Sequence, residues 1–85
     1  MSGSNCDVTR FVISGDILVS GFRGGGIIGF DTKLQQRKFE YRFNECGDTQ
    51  TVAFHDDVVI AGFRDGSVKV IKTKQSGDDA VTHLN

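Results

Sequence analysis

The chain contains no proline and no tryptophan, one tyrosine, one methionine and two cysteines among 85 residues. With proline absent, the eleven glycines read as turn residues and not as the punctuation of a flexible linker. Neither sign of charge dominates, since ten Lys and Arg stand against eleven Asp and Glu for a net charge of -1. That balance excludes a general electrostatic grip on nucleic acid or on an anionic membrane, both of which need clustered positive charge. Aliphatic runs stop at three or four residues, far short of a membrane span. The opening Met-Ser-Gly-Ser-Asn-Cys-Asp lacks the charged start and apolar centre of a secretory signal. Cys6 and Cys46 are too few and too far apart to demand a disulfide framework, so reduced thiols in a cytoplasmic or nuclear setting are expected. A chain this short makes one small domain, residues 1–85, with little core of its own.

What the chain does have is a repeat. Gly21 and Gly62 lie 41 positions apart, and the same step carries Asp16 to Asp57, Phe22 to Phe63, Arg23 to Arg64, Gly25 to Gly66, Thr32 to Thr73 and Lys33 to Lys74. These are 7 identities across the 18 positions from 16 to 33, with no gap, and most other positions exchange one aliphatic residue for another. A fixed step of this size marks a repeat architecture. The reading therefore divides the chain into units at 6–46 and 47–85.

Each unit is expected to hold four strands. In the first they fall at residues 9–13, 17–20, 27–31 and 37–43. The last of these alternates charged and aromatic residues, which turns Phe39, Tyr41 and Phe43 inward. Ser14-Gly15-Asp16 and Gly24-Gly25-Gly26 make the turns between them, with glycine supplying positive φ without steric cost. In the second unit the strands are expected at 51–54, 58–61, 67–72 and 80–84, with turns at His55-Asp56-Asp57 and Asp65-Gly66. The final strand ends one residue before the chain does, so two whole units are expected. No helical period of useful length occurs, and the fold class is all-β.

Four short strands per step with an Asp-Gly hairpin resemble the blades of WD-repeat propellers. The resemblance covers about residues 6 to 85. Ile60-Ala61-Gly62-Phe63-Arg64-Asp65-Gly66-Ser67-Val68-Lys69-Val70 is similar to the second and third strands of such a blade. Val52-Ala53-Phe54-His55-Asp56-Asp57 is similar to the lead-in of blades in F-box/WD-repeat substrate receptors. The tryptophan-aspartate pair of the family is Phe30-Asp31 in one unit and Ile71-Lys72 in the other. Its glycine-histidine is replaced by Cys6-Asp7 and Gly47-Asp48. Only Ser20 and Asp65 fit the family's hydrogen-bonded tetrad, so such blades rely on apolar packing; kelch-type or other propeller blades stay open as alternatives. The implied fold is two tandem four-stranded antiparallel blades of a WD40-like β-propeller. Closed propellers use typically 4–8 blades, so two blades alone leave apolar faces to cover. The expected cover is either more copies of the chain, three or four giving six or eight blades, or the remainder of a larger propeller.

Arg23 and Arg64 recur at the mouth of the hairpin after the second strand. The resemblance implies that arginines at this place hold phosphorylated peptides, and guanidinium suits that bidentate task. Thr9 and Gln50 map to peptide-facing positions of the same family. The plainer alternative pairs each arginine with a hairpin aspartate or with turn carbonyls. Phe22 and Phe63 are read as packing between blades. Cys6, Cys46, His55 and His83 lack the close pairing of zinc ligands, and no cofactor is expected. Asp56-Asp57 and Asp78-Asp79 are paired carboxylates in turns, where aspartate binds its own backbone. Gly24-Gly25-Gly26 lacks the lysine and helix of a phosphate loop. The expected function is a non-enzymatic protein-protein interaction scaffold, with peptide binding through the arginines. The alternative is a structural module that completes a propeller by homo-oligomerisation, or a fragment of a larger one. A third reading, an enzyme or ligand-binding propeller, needs a site assembled only on a ring axis.

Overall fold

Alternating apolar residues and glycine turns give eight strands in the computed structural model, which describes residues 8–75 and 80–84. They are β1 (Val8–Ser14), β2 (Ile17–Phe22), β3 (Gly26–Asp31), β4 (Gln36–Arg42), β5 (Thr49–His55), β6 (Val58–Phe63), β7 (Val68–Lys72) and β8 (Val81–His83). A 3-10 turn, Asn44–Cys46, joins β4 to β5. The strands form two antiparallel four-stranded sheets, each in the order of the chain: β1-β2-β3-β4 and β5-β6-β7-β8. All eight expected strands are present, with ends that coincide or differ by one or two residues. Cys6 and Asp78-Asp79 lie outside the described residues.

The repeated residues hold repeated turns. Asp16 offers its carbonyl to both the amide and the hydroxyl of Thr32, at 2.8 and 3.0 Å. Asp57 does the same for Thr73, at 2.9 and 2.9 Å. The pairs Asp16–Thr32 and Asp57–Thr73 thus lock the open end of each β2-β3 or β6-β7 ribbon. Gly25 and Gly66 both adopt positive φ, 89° and 90°, in the hairpins at the other end. Gly25 could not be replaced even by alanine, because a Cβ there would lie 2.4 Å from the carbonyl oxygen of Phe43.

The two sheets also share their irregularities. The β1-β2 register shifts between Val8 and Arg10, and the β5-β6 register shifts between Thr49 and Thr51. Such bulges bend a strand and sharpen its twist. The fourth strands differ: Ile28 pairs with Glu40, whereas Lys69, one step on, pairs with His83. The last strand is therefore slid by two places against its counterpart. Since side chains alternate with period two, that slide keeps each residue on its proper face.

The sheets stack face to face, and the molecule is 19 Å thin across its narrowest direction, about what two sheets packed ~10 Å apart require. In the first sheet Val12, Val19, Gly29 and Phe39 lie directly opposite one another, so they share the inner face. In the second, Phe54, Val59, Ile71 and Val81 do likewise. Val19, Ile27, Phe43, Val52, Val59, Ala61, Phe63 and Ile71 form one buried cluster that spans both sheets. Phe39, Tyr41 and Phe43 turn inward as expected: Phe39 lies 6.0 Å from the Phe54 ring, and Phe43 meets Phe63 edge-on at 5.5 Å.

Candidate interaction faces

The joint between the sheets is knitted along β2, β5 and the β4-β5 connection. Gly21 lies in it without a side chain because β5 passes so near: a Cβ there would sit 2.6 Å from Thr49 Cγ2 and 3.3 Å from Val52 Cγ1. The Thr49 hydroxyl donates to the Gly26 carbonyl at 3.0 Å, and Asp48 Oδ1 accepts the Gly24 amide at 2.8 Å. Thr9 spends its hydroxyl on the carbonyls of Gly21 and Thr49. Lys69 is buried beneath the same edge, its ammonium 5.8 Å from the centre of the Phe43 ring.

The stacking is front to back. Residues on the inner face of the first sheet have their repeat counterparts on the outer face of the second, and the reverse holds too. Val19 is 0% exposed, while Ile60, one step later, is 47% exposed. Val52 is 5% exposed and its counterpart Phe11 is 60% exposed. Ile71 is 0% exposed and Phe30 is 36% exposed. The outer face of the first sheet is built from Phe11, Ile13, Leu18, Phe22, Ile28 and Phe30. That of the second carries Ala53, Ile60 and Val70 in one row. Both outer faces carry apolar rows like those of the buried joint, with the Arg37–Glu40–Arg42 cluster on the β4 side of the first, and among the described residues nothing packs on them.

Phe63 is thereby buried in the joint as expected of an inter-sheet residue, whereas Phe22 lines the outer face. There it borders a depression of about 240 Å³ together with Gly24, Gly26, Ile28, Glu40 and Arg42.

The residues singled out for peptide recognition fall at two kinds of place, the bulges of the first strands and the hairpins after the second. Thr9 and Gln50 occupy the equivalent bulges of β1 and β5, and the Thr9 hydroxyl is committed to the joint. Arg23 and Arg64 are exposed at the ends of β2 and β6. Arg64 finds its carboxylate in Asp48, 3.9 Å away, and not in the hairpin aspartate Asp65. Asp48 therefore reaches both arginine-bearing hairpins, through the Gly24 amide and the Arg64 guanidinium. Sequence reasoning missed that role, because the two hairpins meet only once the sheets are stacked. Asp65 instead closes on its own turn, accepting the Ser67 amide at 2.8 Å and hydroxyl at 2.5 Å. Those bonds, the hydroxyl first, hold its carboxyl below the usual aspartate range.

No protein-family model matches this chain, and no curated protein matches it. Among solved structures, the crystal structure of the computationally designed Ika4 protein is similar, with a TM-score of 0.75 and 26% sequence identity. The match covers 91% of this chain and 48% of that one. The chain spans about half the length of the designed protein. It shares an all-β arrangement of four-stranded sheets with it.

Among the described residues no group of three or more His, Cys, Asp or Glu is placed to hold a metal ion. Cys46 is unbridged and buried against the core cluster, and His55 is exposed and faces Asp56 at 3.2 Å. Asp56 and Asp57 form a hairpin turn, as their position predicts. No helix among the described residues is long and apolar enough to cross a membrane.

Proposed function

We propose that this chain is a non-enzymatic interaction module: a pair of WD-like β-propeller blades whose two outer faces are covered by further blades. One observation carries the reading. Val19, Val52 and Ile71 are buried in the joint while their counterparts Ile60, Phe11 and Phe30 are exposed, so each outer face is half of a sheet-on-sheet interface. Apolar patches of this kind mark protein contacts, because water gains when they are covered. The likeness to a designed protein of about twice the length, which this chain matches over half, supports blades that continue beyond two. Peptide capture by Arg23 and Arg64 is not part of the proposal, since Arg64 is engaged with Asp48 and Thr9 with the joint.

The test is whether the outer faces behave as contact surfaces. Isolated chain at low micromolar concentration should bind the apolar dye ANS, and Phe11→Lys with Ile60→Lys should abolish most of that binding while the β-sheet circular dichroism persists. If the parent chain binds no dye and stays monomeric, or if the double variant binds dye as before, the reading fails.

A further inference from the structure

On that reading, the faces could be covered by any blade; we infer that the blade is a second copy of this chain, added head to tail. The internal joint is the template. Its two halves are the inner face of the first sheet and the inner face of the second. The repeat places a second edition of the first half on the outer face of the second sheet, around Ile60, Gly62 and Val70. It places a second edition of the other half on the outer face of the first sheet, around Phe11, Leu18, Phe22 and Phe30. The chain thus carries both members of one complementary pair, pointing in opposite directions.

One local fit supports a copy as the occupant. In the joint, Gly21 leaves room for Thr49 and Val52, whose side chains would lie 2.6 and 3.3 Å from a Cβ at that place. Its counterpart Gly62 lies on the outer face, and a Cβ there would meet only Thr51 of its own sheet, at 2.9 Å. One repeat step before Thr49 and Val52 stand Val8 and Phe11, both exposed. In a second copy these are the residues that Gly62 would admit. At the other end, Phe43 sits 5.5 Å from Phe63 and under Lys69. The counterparts of Phe63 and Lys69 are Phe22 and Ile28, which line the depression of about 240 Å³ on the outer face of the first sheet. The hollow that Phe43 fills in the joint therefore stands open there; Leu84, one sequence step on from Phe43, is carried by the slide of β8 to the place of Tyr41, its amide bonding the Val68 carbonyl.

A contact between two different faces of the same molecule is heterologous, so it either closes a ring or grows without limit. Sheets of this kind close in typically 4–8 blades, which is two to four copies of a two-sheet chain.

Two blocked variants test this. Phe11→Glu with Phe30→Glu closes the outer face of the first sheet, and Ile60→Glu with Val70→Glu closes that of the second. In sedimentation equilibrium at about 50 µM, the parent chain should give one discrete mass of two to four copies. Each variant alone should be a monomer, and an equal mixture should give a one-to-one heterodimer, joined by the one intact pair of faces. Photocrosslinking from p-benzoylphenylalanine at position 11 should reach residues 58–63 of another copy, which checks the contact without a charged substitution. A parent chain that is monomeric yet binds ANS overturns self-association while leaving the interaction module intact. Dimerisation of either variant alone overturns the head-to-tail contact. Growth in mass with concentration, without a plateau, overturns ring closure.

Discussion

Asp65 shows how a residue can serve its own turn. It stands where a WD-type tetrad would use an aspartate, yet its partners are the amide and hydroxyl of Ser67, two residues away. Hydrogen bonds to the ionised form depress a carboxyl pKa. Here the Ser67 hydroxyl contributes most and the Ser67 amide next. A depressed acid stabilises the fold above its unfolded value of about 3.9, and that contribution is lost as pH falls through the lower folded value. Ser67→Ala should bring the Asp65 pKa back toward the ordinary range and flatten the dependence of stability on pH below about 4. An NMR titration of the Asp65 carboxyl reads this directly. An unmoved pKa would show that the amide alone sets it. Arg64 makes the complementary point: its nearest carboxylate, Asp48, comes from a different element, so no local reading of the Asp65-Gly66 hairpin could have found the pair.

At the level of elements, equivalent hairpins have been solved in different ways. The β1-β2 turn places Gly15 at φ 60°, whereas the β5-β6 turn places two aspartates, Asp56 and Asp57, at 51° and 65°. Two successive positive φ angles are the signature of a type I′ hairpin, for which Asn-Gly is preferred. A left-handed conformation costs an ordinary residue roughly 1–2 kcal/mol. Replacing Asp56-Asp57 by Asn-Gly is therefore expected to raise stability by about 1 kcal/mol. It would sacrifice the Asp57–Lys74 pair at 3.2 Å and the His55–Asp56 pair at 3.2 Å. Both pairs are largely exposed, and such pairs contribute little. The Thr73 bonds survive because they end on the Asp57 backbone carbonyl. A urea midpoint that rises with an unchanged slope would bear this out, and a lower midpoint would contradict it.

At the level of the whole molecule, the repeat makes two sequence-equivalent glycines unequal. Gly21 lies in the closed joint, where an added methyl would press on Thr49 and Val52 of the other sheet. Gly62 lies on the outer face, where only Thr51 of its own sheet is close, at 2.9 Å. Overpacking a closed interface costs about 1–3 kcal/mol, so Gly21→Ala should lower stability by that amount. Gly62→Ala should cost less than about 1 kcal/mol in unfolding, because the exposed Thr51 side chain can turn away. Paired urea titrations in the monomeric Phe11→Glu, Phe30→Glu background decide the matter. Equal losses would mean that the joint is not as tight as its contacts require.

The eight strands, their order in the chain and the turn residues were legible from the 41-residue step, because alternation and glycine hairpins are short-range effects. The recurrence of Asp16 with Thr32, and of Asp57 with Thr73, is explained by one backbone lock that the sequence displayed without its reason. Local preference could also announce that a pair of sheets would have apolar faces in excess. It could not say that Val19 is buried and Ile60 bare, or that Thr9 ties two sheets and Asp48 two hairpins. Those outcomes depend on which face of one sheet meets which face of the other, a choice made by long-range packing among side chains of like character in both repeats. Tertiary structure alone therefore assigned the buried and open faces, since similar local chemistry acquires different surroundings only when the sheets are brought together.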